Sequence, residues 1–166
     1  MFIKLKRNSE IFISAVFIAV TAASTCAAAM IAQGALVRVN VAETDQISKG
    51  QVVKLTTAAV TAPIVEHLSE AGYLTHGAAE GFTLDVTVAS YDSGSYIGMA
   101  KTARIGMDFV LADAAGDTVR NWHADCTHRT AFNMESTAKR NATAVAACLD
   151  ELAQGAAQNI RSLPSQ

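Results

Sequence analysis

The sequence predicts an α+β fold: a four-stranded, mostly antiparallel sheet with two helices on one face, in the order β-α-β-β-β-α, preceded by an N-terminal apolar leader helix. Three observations carry that prediction. Apolar residues fall at every second position in Phe82-Leu84-Val86-Val88, in Ile105-Met107-Phe109-Leu111 and in Trp122-Ala124-Cys126, with mostly polar residues between them. That alternation marks antiparallel strands with one dry face. Two other stretches, Gln51 to Tyr73 and Met134 to Leu163, space their apolar residues by three and four, as helices covering such a face do. A chain of 166 residues suits one core rather than two. The expected division is a leader over residues 1–32 and a single domain over residues 35–163.

The leader is read from its charges. Lys4, Lys6 and Arg7 form a basic start; Ile11 to Ala32 then carries no charge and ends in small residues. These are the parts of a secretory signal, with the basic end kept in the cytoplasm and the following domain exported. Three routes stay open. Signal peptidase could cut after Ala29, with Ala27 and Ala29 as the small pair. Cys26 could be lipidated, although Thr25 stands where Gly or Ala is usual and no Leu sits three residues before the Cys. The run also reaches the ~20 residues needed to stay in the bilayer as a span. Each route puts the domain outside the cytoplasm, in the periplasm, with Cys26 or residues 11–32 as the possible membrane anchor.

After the leader, Leu36 to Val41 reads as a first strand with Val37, Val39 and Val41 inward and Arg38 and Asn40 outward. Ala42 to Gly50 is a polar loop. The first helix is expected to bury Leu55, Ala58, Ala62, Val65 and Leu68. Pro63 interrupts it, so either the helix kinks there or a shorter helix begins near Thr61, with Pro63 in its first turn. Ala71-Gly72-Tyr73 is its stop. The first helix can link parallel strands by a right-handed crossover. The second and third strands are joined by Asp92 to Lys101, read as a long, mobile loop. The third and fourth are joined by a compact turn, Asp113-Ala114-Ala115-Gly116-Asp117. The last helix sets Ala142, Val145, Leu149, Leu152, Ala156 and Leu163 in one stripe, with Lys139, Arg140, Asp150 and Glu151 off it, and Pro164 closes the domain.

Composition excludes more than it identifies. The formal net charge is −2, and Lys4, Lys6 and Arg7 lie in the leader, so the exported part is more acidic still. No basic patch for nucleic acid survives, and aromatics are too few for base stacking. No nucleophile elbow, zinc-protease motif, phosphate loop or dinucleotide fingerprint occurs. Cys126, inward on the fourth strand, and Cys148, beside the stripe of the last helix, are candidates for a disulfide in an exported domain. His123, Cys126 and His128 do not form a metal site, because alternation sends His123 to the opposite face. His67 and His76 have no sequence partner and are expected in solvent. Asp85 and Asp108 are expected across adjacent strands with Arg38 and Arg104 as partners, a solvated charge lattice rather than an acid–base pair.

The stretch Phe82-Thr-Leu-Asp-Val-Thr-Val, then Ala103-Arg-Ile-Gly-Met-Asp-Phe-Val-Leu-Ala-Asp-Ala-Ala-Gly-Asp-Thr-Val, then the Ala-rich helix ending Leu152-Ala-Gln-Gly-Ala-Ala-Gln-Asn-Ile-Arg-Ser-Leu, resembles YajG-like lipoproteins of the Gram-negative envelope. It is also similar to auxiliary lipoproteins of ABC-type lipid transporters. The resemblance spans roughly residues 35 to 163. It implies a domain that binds or scaffolds in the envelope and brings no catalytic residue with it.

The expected function is a non-enzymatic, exported, periplasmic or outer-membrane-associated protein that docks other envelope proteins. Its interaction face would carry Arg38, Asp85, Arg104, Asp108, His123, Asp125 and Arg129. An unpaired strand edge and the 92–101 loop are further docking elements. No cofactor, metal or nucleic acid is expected. The alternative is a transport-accessory subunit holding a lipid or small apolar molecule between sheet and helices. A hydrolase using the 92–101 loop is the remaining class.

Overall fold

A computed structural model of the chain describes residues 37–48, 53–73, 81–97, 100–131 and 135–162. The leader, Cys26 and His76 lie outside those residues. The described elements are β1 (Val37–Ala42), a short α1 (Asp45–Ser48), α2 (Thr57–Glu70), β2 (Phe82–Ile97), β3 (Ala100–Ala112), β4 (Thr118–Thr130) and α3 (Thr137–Arg161). Apart from the one-turn α1, the order is the expected β-α-β-β-β-α.

The strands form one mixed sheet in the order β1-β2-β3-β4, with β1 parallel to β2 and the other neighbours antiparallel. Strand alternation sends Leu84, Val86, Ile105, Met107, Phe109 and Leu111 into a core that each leaves at most 1 % exposed. Phe109 and Trp122, paired across β3 and β4, stack with ring centroids 5.1 Å apart.

The helices cover that dry face. Thr56 caps α2 by accepting from the Ala59 amide at 3.2 Å, an oxygen supplied to one of the orphan donors of a first turn. Its inward row is Val60, Ile64 and Leu68, with Leu55 just ahead of it; Ala58 and Ala62 face solvent and Val65 is half-buried. The expected stripe was therefore rotated: the larger aliphatics, four residues apart, take the core and the alanines are left outside. Pro63 sits inside the helix, not in its first turn. It lies on the half-exposed flank, where the Ala59 carbonyl, deprived of its helical donor, can meet water. Gly72, at φ +76, ends the helix, and the Tyr73 amide reaches back to Leu68 O at 2.8 Å, a left-handed stop that glycine adopts without strain. The Tyr73 carbonyl then receives the Val37 amide, so the helix exit is tied to β1.

Ser136 caps α3. This helix buries Val145, Leu149, Leu152 and Ala156 as expected, and also Ala144, Cys148, Ala153 and Ile160. Ala142 is exposed, and Arg140 and Asn141 are buried instead. Four of its buried residues, Ala144, Ala153, Ala156 and Ala157, are alanines, small enough to let a helix pack closely on a sheet.

The segment Asp92 to Lys101 is not the loop the sequence suggests. Both strands run on through it, paired from Asp92 with Arg104 to Ile97 with Ala100. Bulges between Val88 and Ser90 and between Ser93 and Ser95 let the strand bend and keep pairing. The first bulge shifts the inward row from even to odd positions, so Tyr91 packs on the core and Ser93 is buried, its Oγ accepting from the Val53 amide.

Candidate functional site

With the helices on one side, no described element covers the other face of the sheet, and that face is polar. Arg38, Arg104, Asp108, His123, Asp125 and Arg129 are exposed on it, and Asp85 is half-exposed. The sequence-derived interaction residues therefore share one surface. Their pairing differs from expectation. Asp85 stands opposite Val110, and Asp108 opposite Thr87, so the two carboxylates do not confront each other. Asp85 accepts from Asn40 Nδ2 at 3.0 Å, while Arg38 donates to Thr83 Oγ1 at 3.1 Å. In the parallel register Asn40 faces Asp85 and Arg38 faces Thr83, which leaves Arg38 one step out of line.

The partner of Asp108 is His123. Nδ1 of the imidazole lies 2.7 Å from Asp108 Oδ1 across β3 and β4, and Nε2 lies 3.1 Å from Asp125 Oδ2 on its own strand. Carboxylates only accept, so both contacts are hydrogen bonds when the ring carries both protons. The Asp108 bond, the largest effect, raises the His123 pKa above the ordinary histidine value; desolvation opposes it, and the Asp125 bond adds a smaller rise. This row closes over Gly106: a Cβ there would lie 2.6 Å from Ser90 Oγ and 2.7 Å from Asp125 Oδ1. Glycine is what lets the two side chains lean together.

The row is not arranged for metal or nucleophilic chemistry. The two nitrogens of His123 point to different carboxylates, so no single ion reaches all three groups, and among the described residues no His/Cys/Asp/Glu group has metal-binding geometry. Ser93, one hydroxyl of the 92–101 segment, is 1 % exposed.

Elsewhere, Cys126 and Cys148 are joined by a disulfide, tying the edge strand β4 to α3. Glu151 sits 3.3 Å from Cys126 Sγ; a disulfide sulfur has no proton to give, so this is a contact. His67 is not solvated: Nε2 meets Asp150 Oδ1 at 2.8 Å and Nδ1 meets Glu70 at 3.4 Å, which clasps α2 to α3. The Asp150 bond is the main reason its pKa is raised. A groove of about 260 Å³ lies between α1 and the start of α2, lined by Glu43, Thr44, Ile47, Lys54, Leu55, Thr56 and Thr57. That is below the ~300–1,000 Å³ of small-molecule pockets, and it is not the space between sheet and helices that a bound lipid would need.

No family model matches the sequence, and no curated protein does. Solved structures do. A minor lipoprotein from Acinetobacter baumannii matches with a TM-score of 0.56 at 13 % identity, over 76 % of this chain and 90 % of its own. A Caulobacter crescentus chain assigned as a lipoprotein matches at 0.54 and 16 % identity, over 80 % and 93 %. A DUF330 protein from Xanthomonas campestris matches at 0.56 and 12 % identity, over 74 % and 81 %. The chain has a lipoprotein-like fold, one found in Gram-negative bacteria. At such identity the likeness is one of fold. Among the described residues no helix is long and apolar enough to cross a membrane.

Sequence reading missed two contacts in this region, Asp108 with His123 and His67 with Asp150. The first rests on the β3–β4 register, which the core-facing Phe109 and Trp122 narrow by parity and the bulge between Leu111 and Ala112 sets. The second depends on how two helices dock, which no local pattern reveals.

Proposed function

We propose that this chain is a non-enzymatic protein exported to the Gram-negative cell envelope, where the open polar face of its sheet docks other envelope proteins. One observation carries the reading: among the described residues no element covers the face holding Arg38, Asp85, Arg104, Asp108, His123, Asp125 and Arg129, while the helices pack on the opposite face. Its charges have both signs and stand in fixed cross-strand positions. Such a surface favours a complementary protein over a lipid or a polyanion. The leader residues 1–32 are read as signal peptide or anchor, with Cys26 as the lipidation site if the second route is used. The likeness to lipoprotein folds and the disulfide both support export to an oxidising compartment.

The test is co-purification from a detergent-solubilised envelope. The full chain is expected in the envelope fraction with protein partners that are lost from an Arg104→Glu/Asp108→Lys variant of equal abundance. Recovery of the chain in the cytosol, or partners unchanged by the face variant, would overturn the reading.

A further inference from the structure

Each margin of the sheet ends in one strand, and β4 is the longer, 13 residues against 6 for β1. It pairs with β3 on one side, and in the strand order of the described residues nothing stands on its other side. The edge has no proline and no lysine among Thr118–Thr130, two devices that commonly blunt an edge. Its inward residues Trp122 and Ala124 are only partly buried, so a strip of apolar surface reaches the margin. Asn121, His123, Asp125 and Thr127 stand exposed along the outward side. The disulfide to Cys148 fixes the strand against α3.

We propose that the outer edge of β4 pairs with the β4 edge of a second copy of this chain, antiparallel about a two-fold axis at Ala124, so that one sheet runs through both copies. Identical patches meet across a two-fold, and the sequence of β4 selects the register. Inward residues must face inward residues. An axis at His123 would set imidazole on imidazole, and one at Asp125 carboxylate on carboxylate. An axis at Cys126 would oppose His123 with Arg129. An axis at Thr127 sets Asp125 against Arg129 but overlaps only the second half of the strand.

Centring on Ala124 pairs Thr118 with Thr130 of the second copy, so the whole strand is used. His123 then stands against Asp125 of the second copy, and the same pair recurs on the other side of the axis. The row reads Asp108, His123, then Asp125 of the second copy, alternating in sign, as cross-strand pairs favour. On the inner side Trp122 meets Cys126 of the second copy, covering its open flank, with the small Ala124 at the axis. Arg120, which would face His128 of the second copy, is drawn aside by its own α3, donating to Asn159 O at 2.8 Å and Ser162 Oγ at 3.2 Å.

The experiment is cysteine cross-linking of the full chain in its own membrane fraction, with a short bis-maleimide as probe. The parent chain reports any linking through Cys26. Ala124→Cys, which meets itself across the axis, is expected to give a covalent dimer several-fold above the parent. The double variant Asn121→Cys/Thr127→Cys, whose positions oppose each other, is expected to do the same, and each of its single variants to stay at the parental level. The double variant keeps the test decisive if Ala124→Cys disturbs the neighbouring disulfide. Parental yields from both, equal linking by the singles, or adducts with another protein in place of the dimer would overturn the proposal.

Discussion

His123 on β4 lies 2.7 Å from Asp108 on β3, and its other nitrogen 3.1 Å from Asp125, so the imidazole, when protonated, is held on the polar sheet face by two carboxylates. His67 is held likewise by Asp150 between the helices. Both histidines have raised pKa values in the folded chain. A raised folded pKa means that the native state holds the proton more tightly than the unfolded chain. The stabilisation is therefore full below the ordinary histidine value of 6.5 and is lost as pH rises through the folded values. The melting temperature should fall from mildly acidic to mildly basic pH, and Asp108→Asn/Asp150→Asn should flatten that slope. A parent melting curve insensitive to pH over this range contradicts the assignment.

Gly106→Ala separates space from strand propensity. The new Cβ must push aside Ser90 Oγ and Asp125 Oδ1, both ends of short side chains that can turn. Alanine also removes the entropy cost of a glycine in a strand, roughly 0.5–1 kcal/mol. Stability should change by no more than about 1 kcal/mol, while the His123 pKa drops as Asp125 is displaced. NMR titration of the imidazole reads this directly; an unshifted His123 means Asp125 contributes nothing.

The Cys126–Cys148 disulfide closes a separation of 22 residues. In the chain-entropy model a loop of that size contributes about 3 kcal/mol. Cys126→Ala/Cys148→Ala should lower the melting temperature by roughly 10 °C, with the native sheet signal retained in the cold. A melting temperature unchanged by the pair would mean the bridge does not restrain the unfolded chain.

Phe109→Ala removes a side chain 1 % exposed and stacked on Trp122. A loss of about 3–5 kcal/mol is expected. Trp122 is the chain's single tryptophan, so a red shift of its emission in the still-folded variant should report the lost partner. An emission spectrum identical to the parent's would place the indole elsewhere.

Much of the fold was legible because β3 and β4 alternate cleanly and because Gly72 and Gly116 sit where the chain must turn. Register is subtler. The turn opposes Asp113 to Asp117, and an unbroken ladder from there would set Trp122 opposite Asp108, core against solvent. A bulge between Leu111 and Ala112 shifts β4 by one and pairs Trp122 with Phe109 and His123 with Asp108. The apolar pattern demands such a shift without saying where it falls. Asp92 to Lys101 was misread because Ser93, Gly94 and Ser95 have turn chemistry, whereas two bulges and a buried Ser93 absorb them into the strand. The outward face was legible by alternation, but its partners were not: Arg38 and Asp85 have opposite charge, yet the parallel register puts Asn40 beside Asp85.

The polar sheet face is the surface proposed to meet other envelope proteins. Site-specific photo-cross-linking in living cells tests that most directly, with a benzophenone side chain at Arg38 or Asp85 on the face and at Ala146 on the exposed side of α3 as reference. Envelope-protein adducts are predicted from Arg38 and Asp85 and not from Ala146. Adducts from Ala146 alone, or a chain that carries no adduct from either face position, would contradict it.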